Sequence, residues 1–355
     1  MKTPRSRKYG PVVVTGGAGF IGVNLADRLL TDGEEVLIFD NLSRPGVDQN
    51  LRWLHSRHRG RVRLSRHDVR DRSAVSDAIK QASSVFHFAA QVAVTTSLDD
   101  PSLDFEVNAL GTLNVLEALR KTNASAPLVF TSTNKVYGCM ERLPLHSQES
   151  RYIPTSNQIR DRGFNESEPL TFASPYGCSK GAADQYTLDY ASSYDLQTVV
   201  VRMSCIYGPC QMGNEDQGWV AHFSRQAIAG LPITIYGDGR QVRDLLFVGD
   251  LLEVLLLARE HSHLVAGEAF NIGGGPGNTA SIREVLSMIA ELEESDLKLD
   301  FGEWRTGDQK YYVSDCSKFH SATGWMPTTS VQEGIRTLHS WLRNHAGSKL
   351  QTLAA

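Results

Sequence analysis

Cysteine is scarce in this chain, and none of it falls in metal-binding spacing. The five stand at Cys139, Cys178, Cys205, Cys210 and Cys316, an odd number with no CxxC pair. That leaves no complete disulfide frame and no zinc-site signature; it points to reduced thiols, a cytoplasmic location and no metal. Long apolar runs are missing too. No stretch reaches the roughly eighteen residues of a spanning helix, so no membrane association is expected. Gly16 and Gly17 break the only early apolar run, which denies the basic start MKTPRSRK a signal core and leaves it as a frayed terminus. A net charge of −4 over 355 residues offers no footprint for nucleic acid. There is no internal repeat and no low-complexity tract. With 41% hydrophobic and 21% charged residues, this is a globular composition, long enough for one large domain or two ordinary ones.

What is present is alternation. Short β-branched runs at 11–16, 34–40, 61–68, 83–90, 127–133 and 197–203 are separated by helical patterns at 20–32, 73–81, 102–121 and 175–193. Several runs are continuously apolar, as parallel strands covered on both faces are. The reading is α/β: a doubly wound parallel sheet with ligands at the strand C-terminal edge. Beyond residue 204 glycine-rich turns dominate, as in IYGDGRQ (235–241) and NIGGGPGN (271–278), and suggest a smaller lobe. The expected division is a dinucleotide-binding domain over 1–204, with 242–275 packing back on it. Segments 205–241 and 276–355 then form the substrate-facing lobe. The polar stretch 139–173 is too long to be filler and reads as a lid or binding loop.

The first strand runs directly into TGGAGFIG (15–22), where Gly17, Gly19 and Gly22 satisfy G-x-G-x-x-G and Gly16 adds an overlapping glycine. Such glycines permit a tight turn, close approach of the backbone to a pyrophosphate and tight helix–strand packing; the helix N-terminus then faces the anion. Asp40 ends the second strand about twenty residues on, where a carboxylate bonds ribose hydroxyls. Its charge favours NAD over NADP, although Arg44 lies close behind. Asp68 ends the third strand and FHFAAQ (86–91) the fourth, on the edge where adenine and phosphates would lie. Asn108 is suited to bracing a neighbouring loop.

SPYGCSKGAADQ (174–185) sets Tyr176 and Lys180 one helical turn apart, on one face. With NAD bound, hydride transfer at an alcohol carbon needs a base for the hydroxyl proton. Free tyrosine titrates near 10, and bringing it to 7 takes about 4 kcal/mol. A nearby ammonium and the cationic nicotinamide ring have the right sign to supply it. TSTNKVYG (131–138) offers Thr133 at the same sheet edge. Nothing nearby marks Cys178 as a nucleophile.

Together TGGAGFIG, Asp40, STNKVYG and SPYGCSK resemble the extended short-chain dehydrogenase/reductase family that acts on nucleotide sugars, over nearly the whole chain. The resemblance implies a Rossmann fold, bound NAD, and Thr133, Tyr176 and Lys180 as catalytic residues. It implies cofactor contacts at Gly16, Gly19, Phe20, Ile21, Gly22, Asp40, Asn41, Ser43, Arg44, Asp68, Val69, Ala89, Ala90, Gln91 and Asn108, besides Tyr176 and Lys180. GDGRQVRDLLFV (237–248) is similar to the family's substrate segment, which puts Arg243 on the substrate pyrophosphate with Tyr236 nearby. RTGD (305–308) resembles its second phosphate contact, through Arg305.

Dehydratases of the family carry Asp-Glu after the threonine, and decarboxylases tend to keep the glutamate; Asn134 and Lys135 stand here instead. Without those proton carriers, an epimerase is implied. FDNLSR (39–44), QVAVTTS (91–97), SPYGCSKGAADQY (174–186), DQGWV (216–220) and GRQVRD (239–244) are most similar to the subfamily of CDP-paratose (CDP-tyvelose) 2-epimerases. The implied reaction inverts C2 of a CDP-linked deoxyhexose, with a UDP-sugar 4-epimerase as the alternative. Gln91, Thr95, Thr96, Ser97, Thr133 and Asn134 are the expected sugar contacts. Family members pair through long helices, here 102–121 and 175–193, which implies a homodimer or homotetramer.

Overall fold

A computed structural model describes residues 10–305 and 307–346; the basic start lies outside the described residues. Its centre is a seven-stranded, wholly parallel sheet. The strands are β1 (Val12–Thr15), β2 (Val36–Phe39), β3 (Val62–Ser65), β4 (Ser84–His87), β5 (Leu128–Thr133), β8 (Thr198–Met203) and β12 (Glu268–Ile272). Their spatial order is β12-β8-β5-β4-β1-β2-β3. Every residue of β1, β4 and β5 is buried, which is why those runs lack a polar alternation.

Helices cover both faces. On one side α1 (Phe20–Thr31), α2 (Val47–Arg57) and α10 (Val248–Glu260) bury Leu25, Leu29, Leu54, Leu251 and Leu255. On the other, α3 (Arg72–Ile79), α6 (Gly111–Thr122) and α8 (Pro175–Tyr194) bury Val75, Ile79, Val115, Leu119 and Tyr190. The chain reverses its winding between β1 and β4, and there the crevice opens.

Three features depart from the sequence reading. The expected helix 102–121 is composite: α4 (Val94–Asp99) leads into α5 (Pro101–Phe105), a π-helical turn at Glu106–Leu110, and then α6. Gly111, just after the π turn, lets the helix pack closely on Val69, whose side chain a Cβ there would approach to 2.8 Å. Second, the segment 242–275 divides. Helix α10 and β12 join the large sheet, but β11 (Val242–Phe247) belongs to a small mixed sheet with β9 (Cys205–Tyr207), β13 (Thr279–Ser281) and β15 (Tyr311–Tyr312). Third, segment 139–173 is structured. The hairpin β6 (Leu145–Ser147) and β7 (Tyr152–Pro154) is followed by α7 (Asn157–Arg162). It packs on the smaller lobe, where Arg151 Nε donates to Glu284 at 2.8 Å and the Tyr152 hydroxyl to Asp238 at 2.7 Å.

The smaller lobe also carries the parallel pair β10 (Ile233–Tyr236) and β14 (Leu299–Gly302), and α9 (Trp219–Ile228). Ile233, Ile235, Val285, Ile289, Ile335 and Leu338 form its core. The helix Ile282–Glu293 starts from a capping box of Ser281 and Glu284, two reciprocal hydrogen bonds.

Candidate active site

The turn after β1 fits a dinucleotide. Gly16 has φ +66°, and a Cβ on it would lie 2.7 Å from the Ala89 nitrogen. On Gly22 a Cβ would meet the Gly16 carbonyl at 2.4 Å. Both sites are therefore closed to any side chain, and backbone alone lines this part of the crevice. Gly19 caps α1 without a side chain, so the first-turn N–H groups face outward for an anion. A pyrophosphate fits that cradle.

Asp40 Oδ2 accepts from Ala18 N at 3.0 Å and Oδ1 from Leu42 N at 2.8 Å. Burial pushes its carboxyl up, and these two bonds pull it down. Lone pairs remain for ribose hydroxyls. Arg44 turns away from it: its guanidinium donates to Gln217 at 3.1 Å and lies near enough to Tyr176 to feel its charge. It is thus poorly placed to meet a 2′-phosphate. Burial raises the Asp68 carboxyl, but Arg70 and then Asn41 outweigh it and hold the group at about 2.

Of the expected cofactor residues, Gly16, Gly19, Phe20, Ile21, Gly22, Asp40, Asn41, Ser43, Arg44, Asp68, Val69, Ala89, Ala90, Gln91, Tyr176 and Lys180 line one cleft of about 890 Å³. Asn108 does not. It is buried behind the loop after β4, accepting from Gln91 N at 2.9 Å and donating to Gln91 O at 3.1 Å, Asp104 Oδ1 at 3.1 Å and Ser179 Oγ at 3.0 Å. Its role is bracing, and the π turn aims it there.

Tyr176 opens α8, whose start is set by Ser174 as N-cap (Gly177 N to Ser174 Oγ, 3.1 Å) and Pro175 in the first turn. The phenol lies close enough to the Thr133 side chain, at the end of β5, to be eased down by it. Burial pushes Tyr176 up to about 12; Thr133 and Arg44 oppose that rise and Asp104 adds to it. Lys180 makes no hydrogen bond to the phenol among the described residues. Its Nζ donates to the Thr131 carbonyl at 2.7 Å and lies 4.2 Å from the Phe130 ring centroid. Burial brings Lys180 down to about 7, against the pull of Asp184 and Asp104. A cation bound beside the phenol, as a nicotinamide ring would be, is what the tyrosine still needs in order to ionise near neutrality.

The expected sugar residues separate. Thr96 lines the cleft, and so does Gln91, whose amide folds back on Ala93 (Nε2 to Ala93 O, 2.8 Å). Thr95 Oγ1 is buried without a hydrogen-bond partner. Ser97 is fully buried: its hydroxyl donates to Val94 O at 2.7 Å and accepts from Tyr176 N at 3.1 Å, so it supports the tyrosine backbone and is no sugar contact. Thr133 Oγ1 also accepts from Lys135 N at 3.2 Å, capping the 3-10 turn Asn134–Tyr137. Asn134 donates to Gln309 at 3.1 Å.

The smaller lobe brings its arginines to the same edge, each held by acid. Arg243 donates to Asp308 at 2.8 Å, and Lys135 Nζ lies 4.0 Å from that carboxylate. Arg305 stacks 3.8 Å from the Tyr236 ring centroid, donates to Glu215 O at 2.6 Å and pairs with Asp216 at 3.4 Å. The residue list read from sequence omits Met212, Gly213, Asn214, Asp216, Gln217 and Arg225, all of which line the cleft. Only the DQGWV stretch hinted at them. Arg225 on α9 has no ion-pair partner among the described residues.

Comparison with known proteins agrees with this geometry. The model of the "NAD dependent epimerase/dehydratase family" matches residues 12–273. The chain is 41% identical to the CDP-paratose 2-epimerase of Salmonella typhi over 337 residues, covering 93% of this chain and 98% of that protein. It is 32% identical to a UDP-glucose 4-epimerase of Mycolicibacterium smegmatis, over 94% of this chain and 98% of that one. Among solved structures, the Thermus thermophilus UDP-glucose 4-epimerase complex with NAD superposes with a TM-score of 0.78 at 35% identity, covering 94% and 99% of the two chains. The UDP-glucuronic acid 4-epimerase of Bacillus cereus, with UDP-glucuronic acid and NAD, reaches 0.81 at 25% identity over 95% and 100%. The chain belongs to the NAD-dependent epimerase/dehydratase family, and its cofactor is NAD.

Proposed function

We propose that the chain inverts C2 of a CDP-linked deoxyhexose of the CDP-paratose/CDP-tyvelose kind. The observation that carries this reading is the 41% identity to a CDP-paratose 2-epimerase, against 32% to a UDP-glucose 4-epimerase over the same span.

Bound NAD would supply the acceptor, and then the donor, of the C2 hydride. The residues do the rest. Tyr176, as phenolate, accepts the C2 hydroxyl proton and later gives it back. Thr133, close to that phenol, holds the hydroxyl in line with it. Asn134 and Lys135, in place of carboxylates, provide no acid–base pair for eliminating water, so the keto sugar survives to be reduced from its other face. Arg243 and Arg305 exchange their acid partners for the substrate diphosphate, which suits their planar guanidinium groups. The keto sugar then turns about this anchored end.

The exposed Phe105, Tyr186 and Tyr194 on the helices around α8 support pairing of two copies there. The five free thiols support a reducing, cytoplasmic setting.

The test is incubation of the purified protein with CDP-, UDP- and GDP-sugars in heavy water, followed by proton NMR. Inversion at C2 without deuterium uptake is expected, and Tyr176→Phe should abolish it with NAD still bound. Inversion at C4 would replace this reading by a 4-epimerase, and deuterium at the inverted carbon would sink hydride return itself.

A further inference from the structure

Asp104 is a fully buried carboxylate on α5 that the reaction as drawn does not use. One oxygen accepts from Asn108 Nδ2 at 3.1 Å and the other from the hydroxyl of Ser179, the residue before Lys180. Burial raises this carboxyl, and the Ser179 bond and the charge of Lys180 offset only part of the rise.

The other charges around Tyr176 and Lys180 are accounted for. Asp184 is held by Arg202 in two parallel bonds of 2.8 and 2.9 Å. His87 bonds Thr15 at 2.6 Å and Thr112 at 3.0 Å, and burial, helped by Lys180, lowers it to about 3, so it is neutral. Arg44 lines the same cleft as the phenol and feels its charge. Lys135, on the 3-10 turn, answers instead to Arg243 and Asp308. Among the described residues, Asp104 is therefore the anion behind the pair that no arginine or lysine bonds.

We propose that Asp104 is the counter-charge of the Tyr176–Lys180 pair, a positioning residue whose negative charge, fixed by Ser179 and Asn108, keeps a proton on the lysine and strengthens the phenolate as a base. This rests on Tyr176 and Lys180 being the reactive pair, as proposed above. The sign is unambiguous even though the two groups titrate together. An anion nearby disfavours each successive proton loss from the pair, so removing it moves both losses to lower pH.

Asp104→Asn keeps the shape and both hydrogen bonds, since the Ser179 hydroxyl can turn to accept. Tyrosinate absorbance, taken as a difference against Tyr176→Phe on NAD-loaded protein without sugar, reads the phenol directly. The midpoint should fall by roughly one pH unit in Asp104→Asn and by less in Ser179→Ala, which removes only one of the two bonds that hold the carboxylate ionised. The pH profile of any epimerisation should slide the same way. An unchanged or raised midpoint would overturn the proposal. If Asp104→Asn does not fold, the infrared difference between wild type and Ser179→Ala at neutral pH decides: an ionised carboxylate band supports the counter-charge, a protonated carboxyl overturns it. Inactivity on every CDP-sugar would refute the substrate reading yet leave the tyrosinate titration legible.

Discussion

Arg243 donates from Nη2 to Asp308 Oδ1 at 2.8 Å, so one of the two guanidinium groups expected on the substrate diphosphate sits, in this state, on a carboxylate of its own lobe. The pair is mostly shielded, the arginine side chain being 12% exposed. On the proposed function, binding exchanges one anion for another and avoids leaving a buried cation bare. A lysine keeps the charge but loses the fork. Arg243→Lys should raise KM for the nucleotide sugar by about 10- to 100-fold, the worth of one charge-assisted bond, with kcat little changed. Steady-state kinetics and a cofactor assay showing normal NAD content would check this.

Lys180 carries a cost in stability. Its folded-state proton affinity is depressed from 10.5 to about 7, chiefly by burial, which corresponds to roughly 5 kcal/mol. The unfolded chain keeps the proton between those pH values while the folded chain does not. The cost is therefore full below about pH 7 and is relieved as pH rises towards 10.5. Lys180→Met should be inactive yet more stable to urea at pH 7 by at least about 1 kcal/mol, after losing the bond to Thr131. The gap should narrow at pH 9.5 or so when both proteins are stripped of NAD.

Gly16→Ala adds a methyl at φ +66°, 2.7 Å from the Ala89 backbone. The strain is on the order of 1–3 kcal/mol, and the displaced turn no longer cradles a pyrophosphate. The variant should melt several degrees lower and purify nearly free of NAD. Cofactor release on denaturation and a thermal melt would measure both.

Ser97→Ala separates two roles for that hydroxyl. A sugar contact would raise KM when removed. Because Ser97 instead accepts from Tyr176 N at 3.1 Å, the variant should lower kcat by about tenfold through misplacement of the base, with KM near wild type. A melt a few degrees lower would accompany it, since a buried N–H is left unpaired.

The parts of this molecule that the sequence made legible are those where one residue type answers one local demand. Gly16 and Gly22 are read as a nucleotide turn because nothing larger fits. Tyr176 and Lys180 are read as one face because helical spacing puts them there. The sequence of β1, β4 and β5 announces a sheet buried on both sides. What stayed hidden depended on distant partners. The π turn cannot be seen without Gln91 and Ser179 on the other side of Asn108. The anchoring of Lys180 on the Thr131 carbonyl could not be seen from helical spacing. Ser97 read as polar and near the sugar, but its direction is set by the start of α8. Helix α2 went unseen because Val47, Leu51 and Leu54 are sparse apolar marks in a polar stretch.

The order of the large sheet has a consequence for how the protein is made. Strand β12, at residues 268–272, lies outside β8 and pairs with it along Val199–Met203, so β8 is an open edge until three quarters of the chain has been synthesised. That edge reads TVVVRM, a segment apt to find a strand from another chain. An N-terminal fragment ending at residue 204 would contain every glycine and carboxylate of the cofactor turn and still leave this edge bare. The NAD-binding half is thus complete as a sequence motif long before it is complete as a fold. Nascent chains stalled between β8 and β12 should be the ones that chaperones hold.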